Sequence, residues 1–236
     1  KQAIRAGKEY WYLLAALTLS LSLLASTTHL IFIWMVIETV SIVSYALVGF
    51  RKRDHRAAAS ALQYFIYGSA AAGLMAFGIA LFYGLTGTMC LQSGLGIGGI
   101  ESLGTALAVQ PTGPVLLALG LILCGFLFKL AVFPFHFWAP NAYQGASASV
   151  VAFISTAPKA VVAFVLWRFC SAMFNRILPL PEVDFHHQFY FVWGFTLLLI
   201  LTMTIGNLGA LRQDDYKRLL GFSGVAQAGF LLMPVV

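Results

Sequence analysis

The chain alternates long apolar stretches with short polar ones. Seven of the stretches are near or above the ~20 residues that a helix needs to cross a bilayer core. They are Tyr10–Ser26, Leu30–Phe50, Ala57–Thr86, Pro114–Phe133, Ser147–Met173, Phe189–Leu211 and Leu219–Val236. Membrane strands would be ~10 residues long and would alternate polar with apolar positions. The pattern therefore predicts an all-α fold, a polytopic membrane helix bundle of about seven transmembrane helices, with residues 1–236 forming a single transmembrane domain. The longest connection, Leu91 to Gly113, is rich in glycine. The fourth stretch ends at Pro134, and the run Phe135-His136-Phe137-Trp138-Ala139-Pro140 is not expected to continue a regular helix. Irregular backbone at membrane depth is tolerated only where it is packed in protein or lines a wet cavity. Pro158 lies within the fifth stretch, frees the carbonyl of Ile154 and predicts a kink.

Composition agrees with lipid as the solvent. Hydrophobic residues make up 60% and charged residues 9%, against roughly 25% charged in ordinary globular domains. Too few polar side chains remain to cover a water-facing surface. The net charge of +6 would suggest an anionic partner in a soluble protein. Here the placement of the charges matters more, and membrane lipids and other subunits, not nucleic acid, are the expected partners. Lys1, Arg5, Lys8, Arg51, Lys52, Arg53, Arg56, Arg212, Lys217 and Arg218 fall on one side if the spans alternate, and Arg168 and Arg176 on the other. That bias puts the N-terminus in the cytoplasm or mitochondrial matrix. Cys90, Cys124 and Cys170 are far apart, with no metal spacing or disulfide framework, and leave the redox compartment open. A start at Lys1 without methionine or signal peptide reads as a processed or partial chain.

Three ionisable residues lie inside the spans: Glu38, Lys129 and Lys159. Each such charge at the bilayer centre costs at least ~2.5–3.5 kcal/mol on insertion scales, so these groups are expected to face the bundle interior and mark a pathway. With a rise of ~1.5 Å per residue, Glu38 sits about 12 Å into the second span. Lys159 is near the middle of the fifth, and Lys129 is close to the break at Pro134. Burial disfavours the charged form of lysine and of glutamate alike. A lysine's charge can then be switched by a carboxylate that approaches or withdraws, which is a way to move protons. The competing reading is a buried ion pair that pins helices together, but two lysines with one glutamate leave an excess positive charge. His136, beside the break, either relays protons between the lysines or satisfies freed backbone groups.

The run Phe128-Lys129-Leu130-Ala131-Val132-Phe133-Pro134-Phe135-His136-Phe137-Trp138-Ala139-Pro140, continuing through Asn141-Ala142-Tyr143-Gln144-Gly145-Ala146, resembles the signature of the antiporter-like subunits of respiratory complex I. Val150-Val151-Ala152-Phe153 to Ala157-Pro158-Lys159-Ala160 is similar to the chain 2 (subunit N) branch in particular. Gly206-Asn207-Leu208-Gly209-Ala210-Leu211 and Lys217-Arg218-Leu219-Leu220-Gly221-Phe222-Ser223 match the family's next pair of helices. Glu38 takes the place of the glutamate in the family's fifth helix. The resemblance implies a part of a fold with about fourteen helices and two inverted repeats, each with a broken helix. This chain would be its fourth to tenth helices.

It also implies a membrane subunit of NADH:quinone oxidoreductase that contributes to proton translocation, with Glu38, Lys129, Lys159 and His136 as site residues. No cofactor and no redox chemistry are expected on this chain. Its expected partners are the other complex I membrane-arm subunits, and a second polypeptide completing the fold. The mitochondrial inner membrane is the expected location, with a bacterial plasma membrane as the alternative. The family's sixth-helix lysine falls in a segment resembling Ala61-Leu62-Gln63-Tyr64-Phe65 and is here Gln63. Because glutamine cannot titrate, a non-pumping structural or assembly subunit is the competing reading, and a multisubunit cation/proton antiporter subunit is another.

Other features carry less. Gly94-Leu95-Gly96-Ile97-Gly98-Gly99 lacks the strand and helix that a dinucleotide site needs and reads as a loop. His186 and His187 point in different directions on a helix and read as interfacial. Ser147, Ser155 and Thr156 either hold waters along the path or bond their own backbone. Asp214 and Asp215 read as a helix start. Gly68 and Ala70 to Gly73 offer a small-residue packing face. A retinal pump, which shares the span count, would need a lysine within its last helix, and the seventh span has none.

Overall fold

The computed structural model describes residues 2–51, 53–91, 111–177 and 185–235. The glycine-rich motif at 94–99 and the side chains of Arg176, His186 and His187 lie outside the described residues. Within them the chain forms helices α1 (Gln2–Ser26), α2 (Leu30–Val48), α3 (His55–Thr86), α4 (Thr112–Leu130), α5 (Trp138–Gly145), α6 (Ala148–Ile177), α7 (Phe185–Leu211) and α8 (Tyr216–Leu231), then a 3-10 turn, Met233–Val235. Six of these helices are long and apolar enough to cross a membrane. The seventh expected span, α8, has 16 residues. It rises about 24 Å, short of a ~30 Å hydrocarbon core. It ends at Leu231, and the chain passes through Leu232 into the 3-10 turn.

Helix ends follow the polar residues of the connections. Asp54 starts α3 by accepting from the amides of Arg56 and Ala57, and Gly87 closes it in the left-handed conformation at φ 69°. Asp215, and not Asp214, starts α8 by accepting from the amides of Lys217 and Arg218. Hydrogen bonds from Ala57 and then Arg56, with the nearby arginines, hold the Asp54 carboxyl below its ordinary range. A bond from Gln144, then those from the α8 amides, does the same for Asp215. Both groups have folded-state values lowered relative to the unfolded chain. Their contribution is therefore present above the unfolded carboxylate value of ~4 and is lost as pH falls through the folded values. Melting temperature is expected to drop on acidification below about pH 4, and less steeply in Asp54→Asn/Asp215→Asn protein.

The break comes earlier than Pro134. α4 ends at Leu130, and Ala131 takes the left-handed conformation at φ 59°. The amide of Val132 then reaches back to the Leu127 carbonyl at 2.9 Å, and that of Ala131 to Phe128 at 3.0 Å. Proline disfavours helical backbone in the residue ahead of it, so the helix stops before Phe133. The freed amide of Phe133 donates to Thr202 Oγ1 on α7 at 3.2 Å. Contrary to the expectation of irregular chain through Pro140, α5 already begins at Trp138. Pro140 sits in its first turn, where a missing N–H costs nothing. A β-branched residue resists the left-handed conformation, so Ala131→Val is expected to destabilise by about 1–2 kcal/mol, read as a lower unfolding midpoint.

Close crossings rest on glycine. Gly78 faces the Ala118 carbonyl and Ile122, and Gly125 faces Met75, where α3 meets α4. Gly206 meets the backbone of Ala226 where α7 meets α8. Of the small-residue face on α3, Gly68, Ala71 and Ala72 are buried. The Ala72 carbonyl accepts from Trp34 Nε1 at 3.1 Å, whereas nothing lies within 4 Å of a Cβ at Gly73. α6 runs through Pro158 without interruption.

Charges gather at the end where α5 finishes. Arg51 Nη2 donates to the Gly145 carbonyl at 2.7 Å and Lys217 Nζ to the Ala146 carbonyl at 2.8 Å. Both cations thus cap the negative end of a half-helix. Arg51 also pairs with Asp54 at 3.1 Å, and Gln144 donates to Asp215 at 2.9 Å. At the far end, Arg168 donates to the carbonyl of Ala25 in the last turn of α1 at 2.8 Å.

Candidate functional site

The spacing of residues on α2 creates the first half of the site. Glu38, Ser41 and Tyr45 recur every three to four residues and share one face. Lys129, in the last turn of α4, meets that face with 3% of its surface exposed. Its ammonium donates to Ser41 Oγ at 3.0 Å and to Tyr64 Oη, from α3, at 3.3 Å. Ser41 spends its own proton on the Ile37 carbonyl at 2.8 Å, which leaves its lone pairs for the ammonium. Glu38 is half-buried, and it and Lys129 each feel the other's charge. Its carboxylate makes no ion pair within 4.0 Å among the described residues. A dry charge gains most from a partner it can touch. Lys129 is instead held by hydroxyls, with the carboxylate at a remove.

Tyr64 is fixed from the other side. Its ring stacks on Trp138 with centroids 4.0 Å apart and planes 2° apart, and Tyr45 meets it edge-on at 4.5 Å. Trp138 Nε1 donates to the Phe128 carbonyl at 2.8 Å, a last-turn carbonyl of α4 that also accepts from the Ala131 amide. The helix break thereby builds one wall of the Lys129 site.

Lys159 makes a separate site on α6. It is 5% exposed and donates to the Gly224 carbonyl of α8 at 2.8 Å, with the Tyr143 ring centroid 6.0 Å away. Among the described residues no carboxylate lies within 4.0 Å of it. It borders a cavity of about 880 Å³ between α6 and α8, lined on its polar side by Ser155, Thr156, Ser223, Gln227 and Lys217. Ser155 and Thr156 bond back to the Ala152 carbonyl at 3.1 and 2.8 Å, and Ser147 pairs with Ser149 at 3.3 Å.

His136 is buried in the break, packed against Phe137 at 4.3 Å and Phe133 at 5.9 Å, and its Nδ1 has no partner. It shares no hydrogen bond with either lysine among the described residues. Gln63 stands apart from Glu38: it is exposed on α3 and accepts from Asn141 at 3.0 Å. The structure thus brings Glu38 and Lys129 together and leaves Lys159 and His136 at positions of their own. Sequence reasoning missed Ser41, Tyr64 and Tyr143. The i, i+3 relation of Ser41 to Glu38 was a usable signal.

A sequence model of the NADH:quinone oxidoreductase/Mrp antiporter transmembrane family matches residues 27–236. The chain belongs to that family. Relatives in it include NAD(P)H-quinone oxidoreductase subunit 2 of Prochlorococcus marinus (strain MIT 9303), 38% identical over 97% of this chain and 40% of the relative. NADH-quinone oxidoreductase subunit N 2 of Syntrophobacter fumaroxidans is also 38% identical, over 98% of this chain and 45% of the relative. Among solved structures, a chain of respiratory complex I from Thermus thermophilus with bound aureothin superposes with a TM-score of 0.74. It is 36% identical, across 94% of this chain and 44% of that one. This family member therefore spans about 40% of the length of its curated relatives. The membrane helices and the break at Ala131 agree with the all-helical membrane fold expected of the family.

Proposed function

We propose that this chain is a membrane subunit of NADH:quinone oxidoreductase that helps move protons across the membrane, coupled to electron transfer carried out elsewhere in the complex. The carrying observation is the Lys129 ammonium, buried at the helix break on two hydroxyls with Glu38 acting on it from a distance. A charge held this way can be given up and regained without breaking a direct ion pair. Glu38, Lys129 and Lys159 are the titrating groups of the proposal, and His136, buried at the helix break, is its candidate relay. The chain supplies helices corresponding to the fourth to tenth of the family fold, with no redox chemistry of its own. Its partners are other membrane-arm subunits.

The bacterial origin of the relatives favours a bacterial plasma membrane over the mitochondrial inner membrane expected from the sequence. The basic cluster of Arg51, Arg56 and Lys217 supports placing the N-terminus on the cytoplasmic side. The deciding experiment counts protons moved per electron in the assembled complex after Lys129→Met; an unchanged count removes the reading. A spacer role has Gln63 in its favour, because a titrating lysine is absent there. Ordered waters reaching Glu38, Lys129 and Lys159 in the intact complex would exclude the spacer.

A further inference from the structure

Each buried lysine has a tyrosine beside it. Tyr64, 2% exposed, accepts from Lys129. Tyr143, 1% exposed, faces Lys159, and its hydroxyl is buried without a partner. A buried orphan hydroxyl is costly and calls for an explanation. Gly224 shows how close this one is to the charge. A Cβ built there would stand 3.4 Å from Lys159 Nζ and 3.6 Å from Tyr143 Oη, so ammonium and hydroxyl flank the same glycine. Lys159 has three donors, and the Gly224 carbonyl takes one of them.

Both tyrosines depend on α5, an eight-residue half-helix. Tyr143 is part of it, and Trp138, at its first turn, stacks on Tyr64. The two are five residues apart in sequence, yet serve lysines on α4 and α6. α5 is held at both ends. Trp138 Nε1 is tied to the Phe128 carbonyl, and the Gly145 and Ala146 carbonyls are tied to Arg51 and Lys217. Short helices are weak in isolation, so this one keeps its place through those ties.

We propose that Tyr64 and Tyr143 are positioning residues for Lys129 and Lys159, and that α5 sets both lysines from one rigid element. This rests on the translocation reading above for its consequence, though not for its geometry. The charged and titratable groups around Lys129 are Glu38 and Tyr45 from α2 and Tyr64 from α3. Around Lys159 they are Tyr143 from α5, with Tyr216 and Lys217 of α8 on the same cavity.

The test uses the intact membrane assembly purified with this chain, carrying Tyr64→Phe, Tyr143→Leu, Trp138→Leu or Trp138→Phe. A hydrogen bond to a charged group is strong enough to move a titration by about one unit. Tyr64→Phe, which removes the acceptor from Lys129, and Tyr143→Leu, which removes ring and hydroxyl from beside Lys159, are expected to keep assembly and electron transfer within about twofold while shifting the pH midpoint of coupled proton uptake by half a unit or more. Trp138→Leu should match Tyr64→Phe, and Trp138→Phe, which keeps a ring to stack on, should restore part of the effect. Packing alone would lower yield and leave the profile unmoved. Unmoved profiles in both tyrosine variants overturn the proposal.

If the variants fail to assemble, a high-resolution structure of the unaltered assembly decides. Ammonium groups turned away from both tyrosines overturn the proposal, and ammonium groups on their hydroxyls or ring faces support it. Normal pumping in Lys129→Met, with the tyrosines on the lysines in the unaltered assembly, would sink the translocation reading alone.

Discussion

Lys129→Met is expected to slow proton movement through this chain by on the order of a hundredfold or more, the range typical of removing a positioned proton-transfer group. Assembly should survive, because methionine fills nearly the same volume and removes a buried charge that makes no direct ion pair among the described residues. A buried ammonium without a direct counter-ion carries a desolvation cost that methionine does not. The expected signature is therefore a thermal midpoint unchanged or raised while pumping falls. A fall in both would point to a structural role for Lys129, and a fall in neither would remove it from the pathway. Lys129→Arg is expected to pump poorly as well, since guanidinium does not give up its proton in proteins.

The second large effect lies away from the lysines. Gly206→Leu should force α7 and α8 apart. A Cβ at Gly206 would come within 2.5 Å of the Ala226 backbone nitrogen and 2.9 Å of its Cα, and backbone cannot rotate out of the way. Overpacking of this kind costs about 1–3 kcal/mol, and more where the neighbour is fixed. The measurement is folded yield and unfolding midpoint in detergent. At Gly73, nothing lies within 4 Å of a built Cβ, so Gly73→Leu is the matched control and should leave both close to normal. Equal losses at the two sites would show that helix propensity, not the crossing, explains them.

The apolar runs disclosed the helices because lipid demands that each segment satisfy its own backbone. The lysines stood out for the same reason, being too costly to place without purpose. What holds them was harder to read. Tyr64 sits next to Gln63, and the missing family lysine drew attention to the wrong one of the pair. About 100° of helix rotation separates the two. It turns Tyr64 inward to Lys129 and Gln63 outward to Asn141. The Gly224 carbonyl could not be foreseen as a partner of Lys159, since a carbonyl inside a helix is ordinarily spoken for. The exact end of α4 depended on Ala131 adopting a left-handed backbone, a conformation alanine rarely signals.

The bond from the Phe133 amide to Thr202 has a consequence for how the break responds to solvent. An interrupted membrane helix is commonly the place where deuterium enters first. Here the loose amide is occupied by a fully buried hydroxyl on α7, and that hydroxyl is itself anchored to the Leu198 carbonyl at 2.7 Å. Deuterium uptake at Phe133 should be slow, set by separation of α7 from α4 and not by local fraying. Thr202→Val would remove the lock while keeping the shape, and would turn a sealed joint into the most rapidly exchanging amide of the segment.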